Sequence, residues 1–101
     1  MVIKKDGRRE PYDRQKLSAG IVKACEKRPI SMNRIEGLVD AIEKKIEKSH
    51  DREVRSNEIG ELVVEALYDL DEVAYVRFAS VYKQFRDASQ FMKELKRFLR
   101  K

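Results

Sequence analysis

Along most of this chain the apolar residues recur every three or four positions, the spacing of amphipathic helices, and only the first dozen residues break that rhythm. Leu17, Ile21, Ala24 and Cys25 form the first stripe, on a helix predicted over residues 14–27. Asp13 is placed to cap it. Pro29 stops it, because the residue before a proline is pushed out of the α region. Ile35, Leu38, Val39, Ile42 and Ile46 mark a second helix, opened by Ser31. Gly37 weakens that helix by about 1 kcal/mol relative to Ala, unless a neighbour needs the close approach. Residues 49–55 are polar and read as a loop. Ser56 is the expected cap of a third helix, with Glu58 in its first turn and a clean stripe of Ile59, Leu62, Val63, Ala66, Leu67 and Leu70. Asp71 and Glu72 start a fourth helix almost at once, and so short a connection makes the two antiparallel neighbours. In the fourth, Val73, Ala74, Tyr75, Val76, Phe78, Ala79, Val81, Tyr82 and Phe85 cover much more than one face, which predicts a central helix. A last helix after Asp87 sets Phe91, Met92, Leu95, Phe98 and Leu99 against a basic side of Lys93, Lys96, Arg97, Arg100 and Lys101.

The opening stretch has a different signal. Asp6-Gly7 between two short runs predicts a hairpin with strands over residues 2–5 and 8–11. A type I′ turn, with positive φ at both central residues, suits that pair. Pro11 ends the second strand, since it cannot continue a ladder. An isolated hairpin is marginal in water, so this one must rest on the helices. The expected fold class is therefore mainly α: a four-helix bundle capped by an N-terminal β-hairpin, with a C-terminal amphipathic helix. Residues 1–88 form the first unit and residues 89–101 the appended helix.

Charge changes this picture by its position. The net charge is +5, and residues 1–28 hold nine Lys or Arg against four Asp or Glu, whereas the remainder holds fourteen of each. All the excess therefore lies in the hairpin and first helix, which points to an anionic partner. The single Cys25 excludes an internal disulfide framework and any zinc site needing two cysteines, and its place on an apolar stripe marks it as core filler. No apolar run approaches eighteen residues and no signal-peptide pattern is present, so a soluble, cytoplasmic protein with no membrane partner is expected. His50, the one imidazole, sits in the polar loop, and HExxH, GxSxG and Walker-A patterns are missing. An enzyme is not expected.

Within the hairpin, strand alternation sends Lys4 and Lys5 to opposite faces, and Lys4 shares its face with Val2. Lys16 projects from the first turn of the first helix toward the same point. An apolar contact beside two ammonium groups suits a nucleotide, with Glu10 able to accept from ribose hydroxyls. These residue types fit a nucleic-acid patch equally well, and a purely structural dimerisation module is a further alternative.

Val2-Ile3-Lys4-Lys5-Asp6-Gly7, followed by Glu10, Asp13 and Lys16, resembles the opening motif of the ATP-cone domain. That domain is the nucleotide-sensing module at the front of class I and III ribonucleotide reductases and of the zinc-ribbon repressors that control ribonucleotide reductase genes. Ala24-Cys25-Glu26-Lys27-Arg28-Pro29 and the run from Asp71 to Tyr82 look like the repressor branch, and the resemblance covers about residues 2–92. It implies binding of ATP or dATP as a regulatory ligand, with Mg2+ as a candidate companion of the nucleotide, and nucleotide-dependent homo-oligomerisation. It further implies that Lys4, Lys5 and Lys16 contact phosphates, Val2 the base and Glu10 the ribose. Ser56 corresponds to a phosphate-side hydroxyl, although a plain N-cap is its alternative. Tyr82 and Lys83 enter because the fourth helix borders the pocket in the family, with core packing the alternative for Tyr82. The apolar edge of the last helix is either a contact surface or folds back onto the bundle. Two features depart from the pattern. The common Lys-Arg-Asp-Gly is here Lys-Lys-Asp-Gly, which turns a bidentate guanidinium into a point charge. The four-cysteine zinc ribbon through which the repressors read DNA is absent from these residues, so DNA binding is expected only through such a ribbon. The alternative function is a basic helical domain that binds nucleic acid directly.

Overall fold

The computed structural model describes residues 1–49, 53–84 and 87–99, except the side chains of Ser49 and Phe98. The expectations for His50, Asp51, Arg52, Phe85, Arg100 and Lys101, and for the Phe98 side chain, lie outside the described residues. Within them the chain runs β1 (Val2–Ile3), β2 (Arg9–Glu10), α1 (Arg14–Ala24), α2 (Met32–Ser49), β3 (Val54–Arg55), α3 (Ser56–Leu70), α4 (Glu72–Lys83) and α5 (Ala88–Leu99). The molecule is mainly helical, with a small sheet at its amino end. No helix is long and apolar enough to cross a membrane, among the described residues.

The sheet has three strands in the order β2-β1-β3. β1 pairs antiparallel with β2, Val2 opposite Glu10, and parallel with β3, Val2 opposite Val54. β3 lies in the stretch read as a loop, and this corrects that reading. A strand of two residues has no periodicity to show; it exists because buried Val54 lies beside buried Val2, and Arg9 Nε reaches Glu53 Oε2 at 3.1 Å.

The hairpin turn is also of another kind. Gly7 has φ of 88°, but Asp6 does not share the positive sign. Gly7 N–H donates to the Lys4 carbonyl at 2.9 Å and Lys4 N–H to that of Arg8 at 2.8 Å. This is a three-residue loop closed by a glycine bulge, not a two-residue type I′ turn. Asp6 Oδ1 accepts from Arg8 N–H at 3.0 Å, an Asx-type bond that stabilises the bend without positive φ at Asp6.

Helix ends follow local chemistry where a cap is present. Asp13 Oδ1 accepts from the N–H groups of Gln15 and Lys16, Ser31 Oγ from that of Arg34, and Asp71 Oδ1 from that of Ala74. α1 ends at Ala24, short of the predicted stop before Pro29. Its end is set from a distance: the Arg77 guanidinium on α4 donates to the carbonyls of Ala24 (3.2 Å) and Glu26 (2.6 Å), and Lys27 turns the chain at φ 61°. Ser56 is not the cap of α3 but its first helical residue; Arg55 holds the cap position and its side chain makes no capping bond.

The core gathers Ile21 from α1, Val39 from α2, Val63, Val64 and Leu67 from α3, and Ala74, Tyr75 and Ala79 from α4. Cys25 is buried there as a free thiol, and burial pushes its pKa up. α3 and α4 run as antiparallel neighbours: Tyr82 and Lys83 at the end of α4 meet Asn57 and Glu61 at the start of α3. α4 is less central than its composition predicts. Val76 is 40% and Val81 78% exposed, because the neighbouring helices cover one side of it only. α5 turns Phe91 and Leu95 toward the core and leaves Met92 and Leu99 exposed. Lys83 and Arg97 alternate with Glu61 and Glu94 in an ion cluster that ties α5 to α3 and α4.

Candidate functional site

Beneath the hairpin lies a cavity of about 680 Å³, bounded by β1 and β2 and by the amino-terminal ends of α1 and α3. Each wall follows from local sequence. Strand alternation sets Val2 and Lys4 on one face of β1, and the register sets Glu10 directly opposite Val2. Lys16 stands in the first turn of α1, where the Asp13 cap fixes the backbone. Ser56 and Ile59 close the far side from α3, and Leu17 adds an apolar patch.

A buttress holds the segment between β2 and α1 against α2. Tyr12 O–H donates to Glu43 Oε2 at 2.8 Å, while Arg14 pairs with Glu43 and, at 2.8 Å, with Asp40. Burial, then the bond to Glu43, pushes the Tyr12 phenol pKa well above its ordinary value. Arg14 lines the cavity, yet its charge is already matched by these two carboxylates. Lys4 and Lys16 add two further cations to the cavity wall. Glu10 Oε2 lies 3.7 Å from Lys4 Nζ and 3.9 Å from Lys16 Nζ.

Chemically, the cavity joins an apolar wall of Val2, Leu17 and Ile59 to two ammonium groups and an acceptor carboxylate. Two helices begin at it, and helix amino termini carry partial positive charge. At α1 the first N–H groups are taken by Asp13; at α3 Arg55 offers no capping oxygen. Such a space has the volume of a small-molecule site and the polarity of one for a polyanion with an apolar end.

Of the residues singled out in the sequence, Val2, Lys4, Glu10, Lys16 and Ser56 line this cavity together. Lys5 lies on the exposed turn beside it. Tyr82 and Lys83 are not in its wall. Tyr82 O–H donates to the Asn57 carbonyl at 2.7 Å, behind the first turn of α3, and burial pushes its phenol pKa up. Lys83 is held by Glu61 and Glu94 and lies 5.4 Å from the Tyr82 ring centre. In the sequence Leu17 and Ile59 read as positions on apolar helix stripes, and only the place of β3 and the start of α3 puts Ile59 at the wall. The Tyr12–Glu43 bond joins residues thirty-one positions apart and has no local signal.

The ATP cone domain pattern matches residues 1–88, and the chain belongs to the ATP-cone family. Its relatives narrow this to one branch. The chain is 57% identical over 101 residues to the transcriptional repressor NrdR of Pelotomaculum thermopropionicum, covering all of this chain and 61% of that protein. With NrdR of Pelobacter propionicus the identity is 56% over 101 residues, covering all of this chain and 67% of the relative. With NrdR of Thermoanaerobacter pseudethanolicus it is 57% over 100 residues, covering 99% and 63%. The chain thus spans about two thirds of the length of these repressors.

Proposed function

We propose that this chain is a non-enzymatic sensor that binds ATP or dATP in the cavity under the hairpin and adjusts repressor assembly, and so ribonucleotide reductase gene expression, to nucleotide supply. In this reading α1 to α4 form the four-helix bundle of an ATP cone over residues 1–88, with α5 appended. Lys4 and Lys16 take the phosphates, Lys5 joins them from the turn, and Ser56 adds a hydroxyl where α3 begins. Val2 supports the base and Glu10 accepts from the ribose. Mg2+ accompanies the phosphates. Tyr82 and Lys83 act from behind the wall, Tyr82 by bracing the first turn of α3 at Asn57 and Lys83 by holding Glu61.

One observation carries the reading: residues distant in sequence, Lys4, Lys16 and Ser56, share one cavity with an apolar wall and a sugar acceptor, in a chain of the ATP-cone family. A phosphate-backbone patch has no use for Glu10, which weighs against direct nucleic-acid binding. DNA contact belongs to a zinc ribbon outside these residues, and the setting is cytoplasmic, as the relatives' name of transcriptional repressor supports.

Ligand binding can shift assembly only through its differential affinity for the two states. Val76 and Val81 on α4 and Met92 and Leu99 on α5 offer exposed apolar surface for homo-oligomer contacts. Calorimetry with ATP, dATP, GTP and a short DNA duplex tests the ligand. Adenine nucleotides bind the native chain, and Lys4→Ala with Lys16→Ala costs about 3 kcal/mol, about a hundredfold in Kd. Undiminished binding by that double variant, or tighter binding of the duplex, would overturn the reading. Size-exclusion profiles identical without ligand, with ATP and with dATP would remove the assembly step.

A further inference from the structure

Glu10 stands between two lysines of the cavity wall. One of its carboxylate oxygens bridges two ammonium groups from different elements, Lys4 Nζ of the hairpin at 3.7 Å and Lys16 Nζ of α1 at 3.9 Å. A phosphate oxygen shared by the same two lysines would make the same arrangement. The ladder explains how Glu10 comes to be there. It lies opposite Val2, and on an antiparallel pair directly opposite residues share a face, so Glu10 is diagonal to Lys4 on the cavity side.

We infer that Glu10 is an internal anion: it gathers Lys4 and Lys16 in the nucleotide-free chain, gives way when a triphosphate enters, and then turns to the sugar. This rests on the nucleotide reading above and adds to it a device for specificity. The Lys16 and Glu10 side chains are 72% and 37% exposed, so the bridge is solvated and opens readily. Its carboxylate still repels any polyanion that enters. A nucleotide offsets that repulsion through its ribose hydroxyls, which Glu10 can accept from. An inorganic polyphosphate has no sugar and gets nothing in return. Glu10 thus discriminates against bare polyphosphate while the lysines alone would attract it.

Calorimetry on the full chain, with inorganic tripolyphosphate and ATP as probes, tests this through Glu10→Gln and Glu10→Ala. Both substitutions fall at a half-exposed site and should leave the fold intact. Removing one like charge a few ångströms from the phosphates should tighten tripolyphosphate binding by about threefold to tenfold in either variant. Glu10→Ala, which also loses the sugar acceptor, should gain less for ATP than for tripolyphosphate. The gain in Glu10→Gln should shrink as salt is raised. Tripolyphosphate affinity in Glu10→Gln equal to or weaker than native overturns the inference; if ATP still binds in a manner that Lys4→Ala with Lys16→Ala abolishes, the nucleotide reading survives it. ATP affinity indifferent to those lysines overturns both.

Discussion

Tyr82 fills the space that a side chain at Gly60 would need: a Cβ there would lie 2.2 Å from two ring carbons and 2.6 Å from the hydroxyl oxygen. This close approach of α4 to α3 lets the Tyr82 hydroxyl reach the Asn57 carbonyl, one residue past Ser56 in the cavity wall. The end of α4 therefore braces the turn of α3 that faces the cavity.

Gly60→Ala should accordingly destabilise the native chain by about 1–3 kcal/mol, through displacement of the ring. In a Tyr82→Ala background the obstacle is gone, and the same change should stabilise by about 0.5–1 kcal/mol through helix propensity. Urea unfolding of the four proteins in this cycle reads the reversal. A cost of equal size in both backgrounds would contradict the packing described.

Two other glycines should respond in opposite directions. At Gly37 a Cβ would meet no atom within 4 Å, so Gly37→Ala should gain about 0.5–1 kcal/mol. Gly7, at φ 88°, closes the hairpin bulge, and Gly7→Ala should lose about 1 kcal/mol or more. Thermal unfolding separates them, with shifts of several degrees of opposite sign.

Acid should weaken the α3–α4 junction in a way that one residue reports. The backbone N–H of Ala74, and then the Arg28 guanidinium, hold the Asp71 carboxyl below its ordinary pKa of 3.8. A group whose pKa falls on folding contributes stability above its unfolded value and loses it as pH drops through the lower, folded value. The stability difference between the native chain and Asp71→Asn should therefore be constant from pH 5 to 8 and shrink below about pH 4. A difference that grows on acidification would reverse the sign and contradict the assignment.

The two faces of the helical layer should differ sharply in tolerance. Ile21 is fully buried, and Ile21→Ala should cost about 2–5 kcal/mol by chemical denaturation. Val81 is 78% exposed on α4, and Val81→Lys should change stability by no more than about 0.5 kcal/mol. At a concentration where the chain is monomeric, a large cost at Val81 would mean that the outer side of α4 is covered within the monomer.

The helices were legible because each buries one face, and burial imposes a period that a sequence displays. What several elements decide jointly was not. β3 is two residues long and exists through pairing with β1, fifty-two positions away. α1 stops where Arg77 takes the carbonyls of Ala24 and, just beyond the helix, Glu26. The turn at Asp6-Gly7 was found in place but not in kind, because an Asx bond favoured the bulged loop. α4 looked central because composition reports an appetite for burial, not the number of neighbours present to satisfy it. In the cavity, Val2, Lys4 and Glu10 were readable since strand alternation alone puts them on one face, and Lys16 since the Asp13 cap fixes its turn. Ile59 and the Tyr12–Glu43 buttress depend on how α2 and α3 approach the hairpin, and nothing local encodes that.

The central claim is that adenine nucleotides enter between the hairpin and the beginnings of α1 and α3. An amide chemical-shift map of the 15N-labelled chain titrated with ATP tests it most directly. Saturable shifts concentrated at Val2, Lys4, Glu10, Lys16, Ser56 and Ile59 are the predicted result. Shifts concentrated along α5 or at the junction of α1 with α4, with the hairpin unmoved, would contradict it.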